Sequence, residues 1–207
     1  MRMMKLLKNE DAFTGLEAAI VLIAFVVVAA VFSYVMLGAG FFATQEAQQV
    51  VHTGSQQASS SLEIIGNVYG YAVSGSSTEL DYIVFTVGNT AGGSPIDISQ
   101  MLVTYICGSV SEVIAFNSTV AKYGGEGTEP DSVNLTAANW TVIKTYNDVG
   151  TANKLLESGE QFVLAVKLPT TKPTNNVQFS VNLQPAVGAA YPIKKTVPAY
   201  LDTVNKL

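Results

Sequence analysis

Residues 16–43, LEAAIVLIAFVVVAAVFSYVMLGAGFFA, decide the fold of this chain of 207 residues. Fifteen consecutive hydrophobic residues run from Ala18 to Phe32, and Glu17 is the only charged residue between Asp11 and Glu46. As a helix rising about 1.5 Å per residue, residues 18–43 span roughly 39 Å, more than a hydrocarbon core of about 30 Å. A helix in a soluble core carries a polar face, and this segment has none. The segment therefore predicts a helix that enters a membrane.

Basic residues before the apolar segment set its orientation. Arg2, Lys5 and Lys8 precede it, and the next basic residue is Lys122, after a gap of 113 residues. Because positive charge beside a membrane span stays on the cytoplasmic side, the N-terminus is predicted to be inside and the rest of the chain exported.

The apolar segment is compared with three kinds of N-terminal sequence. An ordinary secretory signal peptide fits poorly, because the segment is long and its small residues, 38–40, are followed by Phe41 and Phe42. A plain uncleaved anchor is the second alternative. The third is a cut ahead of the apolar segment, between Gly15 and Leu16, which leaves the helix on the mature chain.

Composition excludes several functional classes. Hydrophobic residues make up 48% and charged residues 13%, with a mean hydropathy of +0.31. A net charge of −5 and a pI near 4.8 argue against nucleic-acid binding, which needs clustered Lys and Arg. The single cysteine, Cys107, excludes an internal disulfide and a cysteine-based zinc site. The single histidine, His52, and the lack of nucleotide-binding or nucleophile motifs argue against an enzyme, and no cofactor is expected.

The N-terminal region resembles the start of archaellins, the archaeal flagellins. The resemblance covers about residues 5–66: basic residues, Thr14-Gly15-Leu16-Glu17, the apolar segment, a Gln/Ser-rich continuation and LEIIGNVYG. It implies a class III signal peptide, cut by a prepilin-type peptidase between Gly15 and Leu16. It also implies a filament with helices in its core and β-rich domains outside, built from copies of this chain or with other archaellins, on a membrane platform with a motor. Glu17, second after the expected cut, favours an archaellin over a bacterial type IV pilin, whose acidic residue usually lies further into the helix.

The mature helix contains the residues expected in a filament core. Small residues at spacing four, such as Ala39, Ala43 and Ala47, allow close approach of helices, although lipid-facing alanine is an equally good explanation. Glu17 either pairs with the new α-amino group of Leu16 or simply favours the helix N-terminus through the macrodipole. The predicted core-helix residues are Glu17, Ala18, Ile20, Ala24, Phe25, Val28, Ala29, Phe32, Leu37, Ala39 and Ala43.

The remainder of the chain has a strand pattern. Eight short alternating runs are separated by turn residues, which is typical of an antiparallel β-sandwich of immunoglobulin-like architecture. We therefore predict an α+β chain: signal peptide 1–15, core helix 16–60 (ending near Gly54 or Ser61) and outer sandwich 61–207. The predicted strands are 62–73, 80–87, 100–106, 112–116, 140–146, 161–168, 177–183 and 191–198.

Two kinds of modification or ligand site are considered in this half. Three Asn-X-Ser/Thr sequons, at Asn117, Asn134 and Asn139, lie within 25 residues and predict N-glycans, which archaellins commonly carry. The acidic loop 126–131 offers oxygens for calcium, but a solvated loop fits better because the EF-hand spacing is absent.

The sequence thus predicts a structural subunit of the archaeal motility filament, extracellular when assembled and inserted in the cytoplasmic membrane as a precursor. Two alternatives stay open at this point. One is an adhesive subunit of a type IV pilus-like filament. The other is a monomeric membrane-anchored β-sandwich that binds a ligand, or an exported enzyme.

Overall fold

The computed structural model describes residues 4–59, 61–90, 93–124, 127, 135–148 and 150–207, with side chains of residues 4–14, 58 and 59 left undescribed. The chain divides into two compact units, with the division between His52 and Thr53.

The first unit is built on one helix, α1 (Met4–Ser59), of 56 residues. No proline occurs in this range, so no residue lacks the N–H that continues the helical ladder. Its end at Ser59 falls within the predicted range, and the long apolar helix is confirmed. The helix begins before Gly15, so the expected signal peptide and the mature N-terminus lie on the same continuous helix.

Eleven strands form the second unit in the described part of the chain. The eight predicted strands are all present, with ends at most two residues from those expected, while β3, β7 and β11 were not predicted because two or three residues show no alternation. The strands are β1 (Leu62–Ala72), β2 (Leu80–Asn89), β3 (Ile96–Asp97), β4 (Leu102–Cys107), β5 (Val110–Phe116), β6 (Asn139–Tyr146), β7 (Leu155–Leu156), β8 (Gln161–Lys167), β9 (Gln178–Gln184), β10 (Tyr191–Thr196) and β11 (Val204–Lys206).

Nine of these strands are joined in the order β10-β9-β4-β5-β6-β8-β2-β1-β11, and β3 pairs with β7 separately. All pairs are antiparallel except β5 with β6, which run parallel through the pairs Ala115↔Asn139 and Phe116↔Trp140. This short parallel contact joins a back sheet (β10, β9, β4, β5) to a front sheet (β6, β8, β2, β1, β11).

The two sheets share one hydrophobic core. Tyr105 and Phe179 from the back sheet belong to the same buried cluster as Phe85, Trp140 and Leu164 from the front sheet, and all five are at most 1% exposed. Because residues of both sheets meet in one cluster, the sheets pack face to face. The predicted helix followed by a mostly antiparallel β-sandwich is confirmed.

Gly66 is a glycine whose backbone conformation the fold of this unit requires. Gly66 lies in β1 at φ +83°, in the left-handed region, where the register with β2 shifts between Ile65 and Tyr69. A glycine takes this conformation without the steric cost of a side chain, so the β-bulge can form there.

Candidate polymerisation helix and surface sites

The side chains of α1 from Gly15 to Gln57 are exposed in the single chain. Leu22 is 67% exposed, Phe25 70% and Phe42 72%. Covering one large apolar side chain is worth roughly 1.5–3 kcal/mol, so leaving a whole row in water is very unfavourable. This helix therefore requires a partner surface that the chain itself does not provide.

Every residue predicted for the filament core is found on this exposed helix. Glu17 lies in the first turn after Leu16, and the apolar positions continue over about seven further turns. Their places on the helix are as expected, and their roles stay a prediction. They are Glu17, Ala18, Ile20, Ala24, Phe25, Val28, Ala29, Phe32, Leu37, Ala39 and Ala43.

Small and polar residues in the second half of α1 are compatible with close packing. A Cβ built on Gly38 or Gly40 would meet nothing within 4 Å in the single chain, so another helix backbone has room to approach there. The Thr44 hydroxyl donates to the Gly40 carbonyl at 2.8 Å, which satisfies its donor within the helix. Thr44 can therefore be covered by a neighbour without leaving an unpaired hydroxyl hydrogen.

The sequons occupy different environments. Asn117 follows β5 in a loop, with Ser118 and Thr119 exposed, and its Oδ1 accepts from the Thr119 backbone N–H at 3.1 Å. Asn139 begins β6 and donates to the Thr136 hydroxyl, while the sequon's Thr141 is fully buried. The Thr141 hydroxyl donates to the Asn117 carbonyl at 2.9 Å, so the two sites lie close together. Asn134 lies outside the described residues.

An ion triad in the sandwich was missed by the sequence analysis. The Asp81 carboxylate accepts from the ammonium groups of Lys167 and Lys172, each at 2.6 Å. Burial raises the pKa of Asp81, but the hydrogen bonds and charges of the two lysines outweigh it and hold the pKa below its usual value. No sequence motif identifies this triad, because Lys167 and Lys172 lie 86 and 91 residues after Asp81 in the sequence.

The triad lies at a cleft of about 740 Å³ in the same unit, lined in part by Ser76, Asp81, Lys167, Tyr200 and Asp202. Both carboxylate oxygens of Asp81 already accept from lysine. The triad is therefore best explained as a set of ion pairs that holds together β2, β8 and the loop that follows β8.

The described residues offer little to a metal ion. Among the residues that the structure describes, no three His, Cys, Asp or Glu side chains lie close enough to hold one. His52 lies on α1, as predicted, and Cys107 is a free, half-buried cysteine packed against the core. Most of the acidic loop 126–131 lies outside the described part of the chain.

A long apolar helix with exposed side chains, followed by a compact sandwich, defines a class of protein whose helix must be covered by lipid or by other chains. The sequence matches the archaeal-type flagellin family over residues 12–195. It is 39% identical over 211 residues to "Probable flagellin 1" of Archaeoglobus fulgidus, covering 99% of this chain and 98% of that relative. The chain belongs to the archaeal-type flagellin family.

Solved structures support the same assignment. The archaeal flagellum of Methanospirillum hungatei strain JF1 superposes with a TM-score of 0.69 at 31% identity, covering 93% of this chain and 99% of that one. Flagellin FlaB1 of Methanocaldococcus jannaschii, at 24% identity and a TM-score of 0.52 over 71% of this chain and 96% of its own, shares the fold. The chain is a structural subunit of an archaeal flagellar filament, and it is extracellular when assembled.

Proposed function

We propose that the chain is made as a membrane-inserted precursor, which a prepilin-type peptidase cuts between Gly15 and Leu16. The support is one apolar helix, with residues 15–57 long and apolar enough to span a membrane, preceded by the cations Arg2, Lys5 and Lys8. Gly15 weakens the helix by about 1 kcal/mol relative to alanine, so the backbone opens more easily where the peptidase must bind it.

Removal of residues 1–15 changes what the helix can do. It takes away three cations and two carboxylates, which changes the net charge from −5 to −6 and removes the cationic cytoplasmic end. The freed helix then exchanges lipid for neighbouring helices. A head-to-tail contact that does not close generates a filament rather than a ring. The exposure of apolar side chains on every side of α1 between Leu16 and Phe42 is the observation that carries this proposal.

Glu17 is proposed to guide this docking. Once Leu16 is the first residue, its α-amino group and the Glu17 carboxylate lie within the first helical turn of each mature subunit. Pairing between them, within or between subunits, offsets the cost of placing a carboxylate in an apolar core.

The sandwich is proposed to face outward and to carry N-glycans at Asn117, Asn134 and Asn139. Asn117 is half-exposed in a loop, which suits modification of the folded domain. Asn139 is followed by the buried Trp140 and Thr141, so its modification would have to precede the folding of β6. The subunit needs no cofactor and performs no catalysis, because a separate membrane motor supplies the torque. It polymerises with itself or with other archaellins.

The test of maturation is the intact mass of subunits in filaments sheared from cells. We expect an N-terminus at Leu16, and Gly15→Val should leave the precursor uncut and unassembled, whereas the control Gly54→Val should be cut normally. Filaments whose subunits begin at Met1, or near Phe41, would contradict the proposed cut and its role in assembly.

The glycans are tested in the same preparation. Thr119→Ala removes the sequon of Asn117 and should remove one glycan mass, whereas the neighbouring control Ser118→Ala retains the sequon and should retain the mass. Equal glycan mass on the two variants, after subtraction of the mass of each polypeptide, would show that Asn117 is unmodified.

A further inference from the structure

The outer face of the back sheet is unusually poor in charge. Outward positions are identified by alternation with the buried residues and by register, since Val113, Thr104, Asn182 and Pro192 lie side by side across the four strands. We call the following set the back face: Leu102, Thr104, Ile106, Ser111, Val113, Ala115, Gln178, Ser180, Asn182, Gln184, Pro192, Lys194 and Thr196.

Lys194 is the only charged residue of the back face. The exposed Glu112 of β5 lies between Ser111 and Val113, pairs with the buried Tyr105 and therefore belongs to the other face of the strand. Leu102 is 46% exposed and Val113 56% exposed. The solvated face of an antiparallel sheet normally alternates polar and charged residues outward, so this surface has the composition of a face that becomes covered.

On the opposite outer face of the sandwich, apolar strand residues are covered by another segment of the same chain. On the front sheet, Val84, Ile143 and Ala165 form a buried cluster with Leu135, a residue outside the strands. The chain therefore covers that face with its own segment. The back face keeps Leu102 at 46% and Val113 at 56% exposure, and none of the described segments of the chain covers them.

We propose that the back face packs against the sandwich of a neighbouring copy of this chain in the filament. This inference rests on assembly of the chain into a filament. The chain is acidic, with a mature net charge of −6 if residues 1–15 are removed, so crowded copies repel one another. A contact surface without carboxylates, with hydroxyl and amide groups and one cation, lets two such copies approach.

The size of the face selects a filament neighbour over a free dimer. Four strands about 4.8 Å apart and about six residues long cover roughly 300 Å², well below the ~800 Å² per partner of a stable interface. Such a contact becomes significant only where the helices already hold the sandwiches together at high effective concentration.

The direct test is hydroxyl-radical footprinting of filaments built from this chain as their sole archaellin, compared with the same subunits dissociated in detergent. We expect labelling of Leu102 and Val113 to fall at least fivefold in the filament. Tyr200 and Val204, which lie outside the back face and are 67% and 47% exposed, serve as references for general shielding. Equal labelling of Leu102 and Val113 in filament and subunit overturns the proposal, as does protection that requires a second archaellin.

A pair of variants tests the energetic role of the face. Val113→Glu introduces a carboxylate into it, and Val204→Glu makes the same change on β11 in the front sheet. We expect Val113→Glu filaments to release subunits at a lower temperature, with Val204→Glu filaments unchanged, while Trp140 fluorescence shows both sandwiches folded. Equal release by the two variants overturns the proposal. Filaments that form without protection of the back face refute this inference alone, whereas failure of the unaltered chain to enter filaments, either by itself or together with other archaellins, refutes its role as a filament subunit.

Discussion

The helix and the sandwich use similar apolar residues in opposite ways. In the sandwich, Phe85, Leu164 and Val166 are at most 1% exposed, whereas Phe25, Leu37 and Val28 on α1 are 61–70% exposed. The sandwich buries its apolar surface within one chain, and α1 does not. Folding therefore stabilises the first unit only through its helical hydrogen bonds. Burial of its apolar side chains requires lipid before assembly and other helices afterwards.

The difference follows from periodicity. Strands such as β9 alternate, so Phe179, Val181 and Leu183 need only one covered face, and the facing sheet supplies it. Residues 18–43 of α1 are apolar on every side, so no single surface covers them. They need a surrounding medium, which is lipid before assembly and other helices afterwards.

A charge in the centre of the helix should abolish assembly, which is the strongest effect that we expect of a single substitution. Val28→Asp places a carboxylate about halfway along the apolar segment, which costs roughly 2.5–3.5 kcal/mol at a bilayer centre. In a filament the charge recurs in every subunit, so we expect no filaments by electron microscopy. Val187→Asp is the matched control, because Val187 is also about half-exposed, on the sandwich, and its substitution should leave filaments intact. Normal filaments of the Val28→Asp subunit would show that α1 is not buried there.

A second prediction separates the stability of the two units with one kind of substitution. Leu164→Ala empties part of the fully buried core and should lower the free energy of unfolding of the sandwich by about 2–5 kcal/mol. Leu37→Ala, on α1, should leave that free energy unchanged and weaken the filament instead. The chain has one tryptophan, the buried Trp140, whose fluorescence follows sandwich unfolding in detergent-solubilised full-length protein.

The two outcomes of this pair are diagnostic. A sandwich that loses equal stability in both variants would mean that α1 contributes to its folding. Intact filament stability in Leu37→Ala would remove Leu37 from the helix contacts.

The sequence predicted those elements whose pattern lies within a short stretch of neighbouring residues. The helix and all eight longer strands were predicted, because a long apolar run and strict alternation are properties of neighbouring residues. β3, β7 and β11 were missed because two or three residues carry no period. The parallel pairing of β5 with β6 was missed because the residues between them show no helix or strand pattern.

The candidate site was predicted in part for the same reason. The exposed helix follows from composition alone, whereas the processing role of Gly15 and Leu16 and the docking role of Glu17 rest on a contiguous motif and stay predictions. The back face and the Asp81 triad depend on register between distant strands. The sequences of β4 and β9 do not by themselves indicate a shared surface, because the pairing of Thr104 with Asn182 is visible only in the structure.

Loss of the Asp81 triad should have a weaker effect. This ion pairing distinguishes the sandwich from α1, which has no charged residue between Glu17 and Glu46. Two ammonium groups hold the pKa of Asp81 below that of an unfolded aspartate, about 3.9. The stabilisation is therefore complete above pH 3.9 and is lost as the pH falls towards the folded pKa, because the unfolded chain binds the proton first. Asp81→Asn should lower the free energy of unfolding by about 1 kcal/mol at pH 7, and the difference from the unaltered chain should shrink below pH 4. Asp202→Asn, an exposed carboxylate on the same cleft, should change it by less than about 0.5 kcal/mol. A difference for Asp81→Asn that stays constant between pH 3 and pH 7 would mean that packing, and not the charge of the carboxylate, accounts for the contribution of this residue.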